Sequence, residues 1–124
     1  MPHSSEHASP DRRLGQRDAE ELAETLKALG SPGRLRLLTE MLGGERTVED
    51  LAAAAGLSLS ATSHHLRLLR SLRLVHARRD GRYVRYELHD HHIGDLLAAV
   101  RHHHEHVHPP AAVELPPALD SQIT

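Results

Sequence analysis

Cysteine is absent from the 124 residues, and so are phenylalanine and tryptophan; tyrosine occurs only as Tyr83 and Tyr86. Without cysteine there is neither a disulfide nor a thiolate metal site. Without large aromatics the core must be aliphatic, built from Leu, Val, Ile and Ala, which favours helix packing. No run of about 18 apolar residues is present, so no helix is expected to span a membrane. The opening stretch MPHSSEHASPDRR lacks the basic-then-apolar order of a signal peptide, so a cytoplasmic protein is expected. A nucleophile–base pair and a Gly-rich phosphate loop are both missing, which argues against an enzyme and against a small organic substrate. One domain is the default at this length.

Charge is scarce in sum but not in place. The net charge is −2. Yet residues 60–87 hold seven Arg (67, 70, 73, 78, 79, 82 and 85) against Asp80 and Glu87. A local basic face on a mildly acidic body is the footprint of phosphate contact.

Punctuation divides the chain into elements. Residues 1–16 are polar, with Pro2 and Pro10, and read as a disordered tail. A first helix is expected over about 18–29, with Leu22, Leu26 and Leu29 on one face. Gly30 ends it. Ser31-Pro32 opens a second helix, with Ser as the N-cap and Pro at the first helical position. That helix carries Leu35, Leu38, Met41 and Leu42 and stops at Gly43-Gly44. Thr47 caps a short third helix whose first turn carries Glu49 and Asp50. Gly56 then turns the chain, and Ser58 or Ser60 caps a fourth helix, SATSHHLRLLRSL. Helix, short Gly-containing turn and helix form the helix-turn-helix pattern. In LVHARRDGRYVRYEL, Asp80-Gly81 signals a two-residue hairpin. The expected fold is mainly α with a β-hairpin wing: a winged helix-turn-helix domain over 17–108. A Pro-rich tail, 109–124, follows as an unstructured appendage.

In such a fold the second helix of the pair enters the major groove by its N-terminal end. The candidate base readers are therefore Ser60, Thr62, Ser63, His64 and His65, with Arg67 and Arg70 near phosphates. Arg78, Arg79, Arg82 and Arg85 on the hairpin are candidates for gripping the backbone or entering a minor groove. One such module reads one half-site, so a homodimer on a palindromic double-stranded operator is expected. The amphipathic first and last helices offer the dimer surface.

Histidine is the opposite of scarce: 13 occur, eight of them in the twenty residues HDHHIGDLLAAVRHHHEHVH, 89–108. Ile93, Leu96, Leu97 and Val100 form an apolar helical stripe inside it. From His92 to His103 a helix turns about 1100° and rises about 16 Å, so the two point the same way at opposite ends. One ion with bonds of about 2 Å cannot join them within a chain. Two antiparallel copies bring His92 of one beside His103 of the other. His103 and His106 are i, i+3 neighbours, and Asp90 stands two before His92 where the helix starts. The register thus offers Asp90 and His92 from one protomer and His103 and His106 from its partner. A frame from His91 meets Glu105 and a frame from His89 meets Val100; only the frame from His92 has histidine at all three positions. His91, His102 and His104 fall outside the set, and His76 is assigned to the wing structure.

These stretches resemble the ArsR/SmtB family of metal-responsive winged-helix repressors over about 18–108. The resemblance is carried by ALGSPGRLRLLTEML, by TVEDLAAAAGLSLSATSHHLRLLRSLRLV, by RRDGRYVRYEL and by Asp90-x-His92-x10-His103-x2-His106. It implies a fifth-helix metal site shared across the dimer, as in the zinc, cobalt and nickel sensors. Zinc is content with four ligands, whereas nickel and often cobalt take more. His108 follows His106 by two, as in the nickel/cobalt-sensing branch. In that branch an N-terminal Gly-His adds ligands. Here Met1-Pro2-His3 would offer the Pro2 amine and His3 once Met1 is removed. The resemblance further implies that His103, fixed by metal, donates a hydrogen bond to a backbone carbonyl at His64. Arg73 stands where many members carry Gly. The expected function is a nickel- or cobalt-responsive DNA-binding regulator, with a zinc-responsive repressor as the alternative. A histidine-rich metal storage or delivery protein is the alternative of another class.

Overall fold

The first described helix leaves Leu22 and Leu26 in solvent. In the computed structural model, which describes residues 12–110, α1 runs Gln16–Leu29 and buries only Ala28 and Leu29. Leu22 and Leu26, which share a face with Leu29, remain exposed. α2 (Pro32–Glu40) starts where Ser31 accepts a hydrogen bond from the Arg34 amide, with Pro32 in its first turn. It ends in a 3-10 turn, Met41–Gly43, so Met41 and Leu42 lie past the α-helix expected to carry them. Leu37 and Leu38 are its fully buried residues, whereas Leu35 stays exposed.

β1 (Arg46–Thr47) leads directly into α3 (Val48–Ala55), and α4 follows as Leu59–Ser71. The caps are Thr47, accepting from the Asp50 amide, and Ser58, accepting from the Ala61 amide. Ser58 rather than Ser60 is therefore the cap of α4. Gly56 closes α3 at φ 67°, the left-handed conformation that glycine adopts without a Cβ clash. The Leu57 amide reaches back to the Ala52 carbonyl there.

α4 ends the same way without a glycine. Arg73 takes φ 60°, the Arg73 amide bonds the Arg70 carbonyl, and the Leu74 amide bonds the Leu69 carbonyl. This is the six-to-one helix stop, with buried Leu69 and Leu74 as its hydrophobic pair. The Arg73 side chain occupies a position whose backbone favours glycine.

β2 (Val75–Asp80) and β3 (Tyr83–Leu88) form the wing, and β1 pairs on the other side of β3, giving the antiparallel order β1-β3-β2. Asp80 pairs with Tyr83, so the two-residue loop is Gly81-Arg82, one residue later than the Asp80-Gly81 signal suggested. Gly81 supplies the positive φ, 66°. β1 has no local sequence signal, because its pairing, Arg46 with Tyr86 and Thr47 with Arg85, needs a partner distant in sequence.

α5 (His91–Val107) closes the described structure, capped by Asp90. Its Leu97 is buried and Ile93 packs against the core, while Leu96 and Val100 stay exposed. The core is aliphatic as expected: Leu37, Leu38, Leu51, Leu66, Leu69 and Val75 are its largest buried side chains. Each such burial stabilises the fold by about 1.5–3 kcal/mol before conformational entropy is counted.

Candidate functional site

α4 is an amphipathic helix wedged by Leu66 and Leu69 into the core formed with α2 and α3. That wedge fixes which of its polar residues look outward. Ser60, His64, Arg67 and Arg70 are exposed, and Ser63 is half-buried. Thr62 is not available as a base reader. It is fully buried, and its hydroxyl donates to the Ser58 carbonyl at 2.8 Å. Its place was legible: Thr62 stands four before Leu66 and seven before Leu69, on the inward stripe.

His65 is also turned aside. Its ring is half-buried against α2, where a Cβ on Gly33 would lie 3.3 Å from Nε2. Its Nδ1 is 3.3 Å from a guanidinium nitrogen of Arg34. Burial, then the Arg34 charge, then His64 hold the imidazole below its ordinary pKa. His65 thus faces the domain interior, and no motif or periodicity singles out Arg34 as its neighbour.

The wing arginines fall into two groups. Arg78 makes two hydrogen bonds to Glu45, and Arg85 donates to Asp80 at 2.8 Å. Arg78 and Arg85 are also cross-strand partners, so paired carboxylates neutralise that part of the wing. Arg79 and Arg82 are exposed, and neither pairs with a carboxylate among the described residues. The Arg78 guanidinium, a candidate for gripping the DNA backbone or entering a minor groove, is engaged by Glu45.

The histidine helix keeps its ends apart. At the N-terminal end the Asp90 carboxylate accepts from the His92 amide at 2.9 Å and lies 3.3 Å from His92 Nδ1. Its other oxygen is 3.4 Å from His89 Nδ1. Partial burial would raise its pKa, but the His89 hydrogen bond, the His92 amide and the His92 ring outweigh that and hold it low. At the other end His103, His106 and His108 are all exposed. The His108 ring lies against His104, centroids 4.6 Å apart. Among the described residues of one protomer, no three His, Asp or Glu side chains gather for an ion. No hydrogen bond joins His103 to α4 among these residues either. His76 pairs across the strands with Glu87 at 3.2 Å, as its place in the wing implies. His3 and the first part of the N-terminal tail lie outside the described residues, as does the C-terminal tail from residue 111.

A shallow apolar groove of about 530 Å³ runs between α2 and α5, lined by Leu35, Thr39, Leu97 and Val100. No helix among the described residues is long and apolar enough to cross a membrane.

Comparison with known proteins agrees with this architecture. The model of the bacterial regulatory protein arsR family matches residues 31–77, from the cap of α2 into the wing. The HTH-type transcriptional regulator NmtR of Mycobacterium tuberculosis is 44% identical over 99 residues, which is 80% of this chain and 82% of that protein. A transcriptional repressor SmtB homolog of Synechocystis is 49% identical over 85 residues, 68% of this chain and 64% of that protein. Among solved structures, apo-NmtR superposes with a TM-score of 0.67 at 42% identity, covering 88% of this chain and 92% of that one. The homodimeric winged helix-turn-helix DNA-binding domain from Mycobacterium bovis gives a TM-score of 0.68 at 34% identity, covering 77% and 93%. These relatives are named as regulators and repressors, not enzymes. The chain belongs to the arsR family of bacterial regulatory proteins and has its winged helix-turn-helix fold.

Proposed function

We propose that this chain is a cytoplasmic, homodimeric, metal-responsive DNA-binding regulator. In this reading α4 enters the major groove of a palindromic operator, and a nickel or cobalt ion is held between protomers at α5. The observation that carries it is the layout of α5. Asp90 and His92 are already adjacent at one end, while His103 and His106 stand about three turns away on an exposed face. Two antiparallel copies bring the opposite ends together. Exposed apolar side chains on α1 and α5 supply the surface for that pairing, and the homodimeric relative supports it.

The donor set suits the ion. Imidazole and carboxylate donors fit nickel, cobalt and zinc, and thiolate is lacking. A bound ion would cross-link the protomers and polarise the imidazoles that hold it. Asp90 and His92 would hold it from one protomer, and His103 and His106 from its partner. His108 and His3 would raise the coordination number. With one nitrogen of His103 engaged, the other N–H is left for the α4 backbone at His64, so metal occupancy biases the reading helix. Binding coupling is reciprocal: operator DNA weakens metal affinity by the factor by which metal weakens DNA affinity.

On the DNA side, Ser60, Ser63 and His64 are the base readers, with Arg67, Arg70, Arg79 and Arg82 on phosphate. Zinc is the second reading, because Asp90, His92, His103 and His106 alone complete a tetrahedral set.

The test is titration of the purified chain with Ni²⁺, Co²⁺ and Zn²⁺ while binding to affinity-selected palindromic DNA is followed. Six-coordinate Co²⁺ or Ni²⁺ spectra with a change in DNA affinity support the first reading. Tetrahedral Co²⁺ spectra with a response to Zn²⁺ alone support the second. Metal binding without sequence-specific DNA binding would leave a storage or delivery protein. His103→Ala should remove the metal response and leave apo DNA binding near normal.

A further inference from the structure

α4 is tied to α1 through one side chain of α2. Arg34 stands in the first turn of α2, where its amide is held by the Ser31 cap at 3.3 Å. Its Nε donates to the Ala28 carbonyl in the last turn of α1 at 2.6 Å. That carbonyl is one of the orphan acceptors at a helix C-terminus. Its Nη1 lies 3.3 Å from His65 Nδ1 on α4. Arginine has donors only, so this contact requires Nδ1 to be the unprotonated acceptor nitrogen of a neutral ring. The lowered pKa of His65 agrees with a neutral ring. The groups shown facing the ring are Arg34 and Gly33 from α2 and His64 from α4 itself.

We propose that Arg34 is a positioning residue for the recognition helix: its guanidinium clamps the His65 imidazole of α4 to the last turn of α1. The seating of α4 on DNA is then set at the α1–α2–α4 junction rather than by α4 alone. The planar fork matters, because one guanidinium must satisfy a carbonyl and an imidazole from different directions. His65 accordingly acts through its back edge, not through a base. The proposal rests on the reading of α4 as the DNA-contacting helix.

The experiment compares Arg34→Gln, His65→Leu and His65→Asn in the full chain. Asn places an amide oxygen where Nδ1 stands, so it keeps the acceptor; Leu removes it. Arg34→Gln and His65→Leu are each expected to weaken operator binding on the order of tenfold, the worth of one charge-assisted hydrogen bond. His65→Asn retains most of the affinity. The double variant Arg34→Gln/His65→Leu loses no more than either single one. The salt dependence is unchanged throughout, since no phosphate contact is lost. In the free protein, NMR titration of the His65 ring moves to higher pH in Arg34→Gln, a readout that needs no DNA. Several results overturn the proposal: a salt slope shallower by about 0.9 in Arg34→Gln, which puts Arg34 on a phosphate; equal losses in His65→Asn and His65→Leu, which makes His65 a base reader; additive losses; or an unmoved titration. If Arg34→Gln does not fold, the two His65 variants decide alone. Absence of sequence-specific binding by the wild-type chain overturns the reading of α4 itself. Wild-type binding with unaffected variants overturns only the clamp.

Discussion

Arg78 holds Glu45 in a two-point grip, Nε at 2.9 Å and Nη2 at 2.6 Å from the two carboxylate oxygens. The pair ties the outer wing strand to the residue that precedes β1. The hydrogen bonds from Arg78 keep the Glu45 carboxyl below its ordinary pKa, so the grip is charged near neutral pH. A basic stretch that reads as seven arginines in sequence therefore presents fewer unpaired cations on its surface.

The first prediction concerns that difference. Arg82→Ala should reduce the slope of log affinity for operator against log salt by about 0.9, the value for one lost phosphate contact. Arg78→Ala should leave the slope unchanged while loosening the wing. Equal slopes in the two variants would put Arg78 on DNA after all.

A second prediction follows from the end of α4. Arg73→Gly should stabilise the fold by about 1 kcal/mol, because the left-handed backbone strains a residue that has a Cβ. Part of the gain is offset by the freer unfolded chain. Urea unfolding at fixed protein concentration measures the balance, and a net loss would mean the Arg73 side chain contributes more than its backbone costs.

Thr62 is buried and its neighbour Ser63 is half-buried and a proposed base reader. Thr62→Val keeps the volume but removes the buried hydroxyl, and should cost about 1 kcal/mol of stability without altering base preference. Ser63→Ala should do the reverse. Selection of bound sequences from a random DNA pool separates the two; a changed preference in Thr62→Val would contradict its inward placement.

Asp90 serves as both helix cap and proposed ligand. Asn caps helices as well as Asp does, so Asp90→Asn should leave the apo melting temperature near wild type at neutral pH and weaken metal binding. Its folded pKa is depressed, so the stability it contributes is present above the unfolded carboxylate value. That stability is lost as pH falls through the folded value. Asp90→Asn should flatten this acid limb of apo stability. An unchanged metal affinity in calorimetric titration would remove Asp90 from the ligand set.

Much of this molecule is local. Ser31, Thr47, Ser58 and Asp90 cap their helices by accepting amides two or three residues ahead, and residues that near in sequence are readable without a fold. Gly56 and Gly81 stop a helix and turn a hairpin for the same reason. The histidine register is local too, since helical pitch alone separates His92 from His103 by about three turns.

What only the tertiary structure decided is which polar groups stay available. Arg34 meets His65 across 31 residues, and Glu45 meets Arg78 across 33. Neither pairing has a periodicity or a motif to announce it. The rotation of α4 was set by the Leu66 and Leu69 wedge, which took Thr62 inward and turned His65 toward α2. The exposed stripes of α1 and α5 mark the same boundary from the other side. The sequence determined that these helices are amphipathic, but a single protomer cannot bury all of the apolar surface they carry.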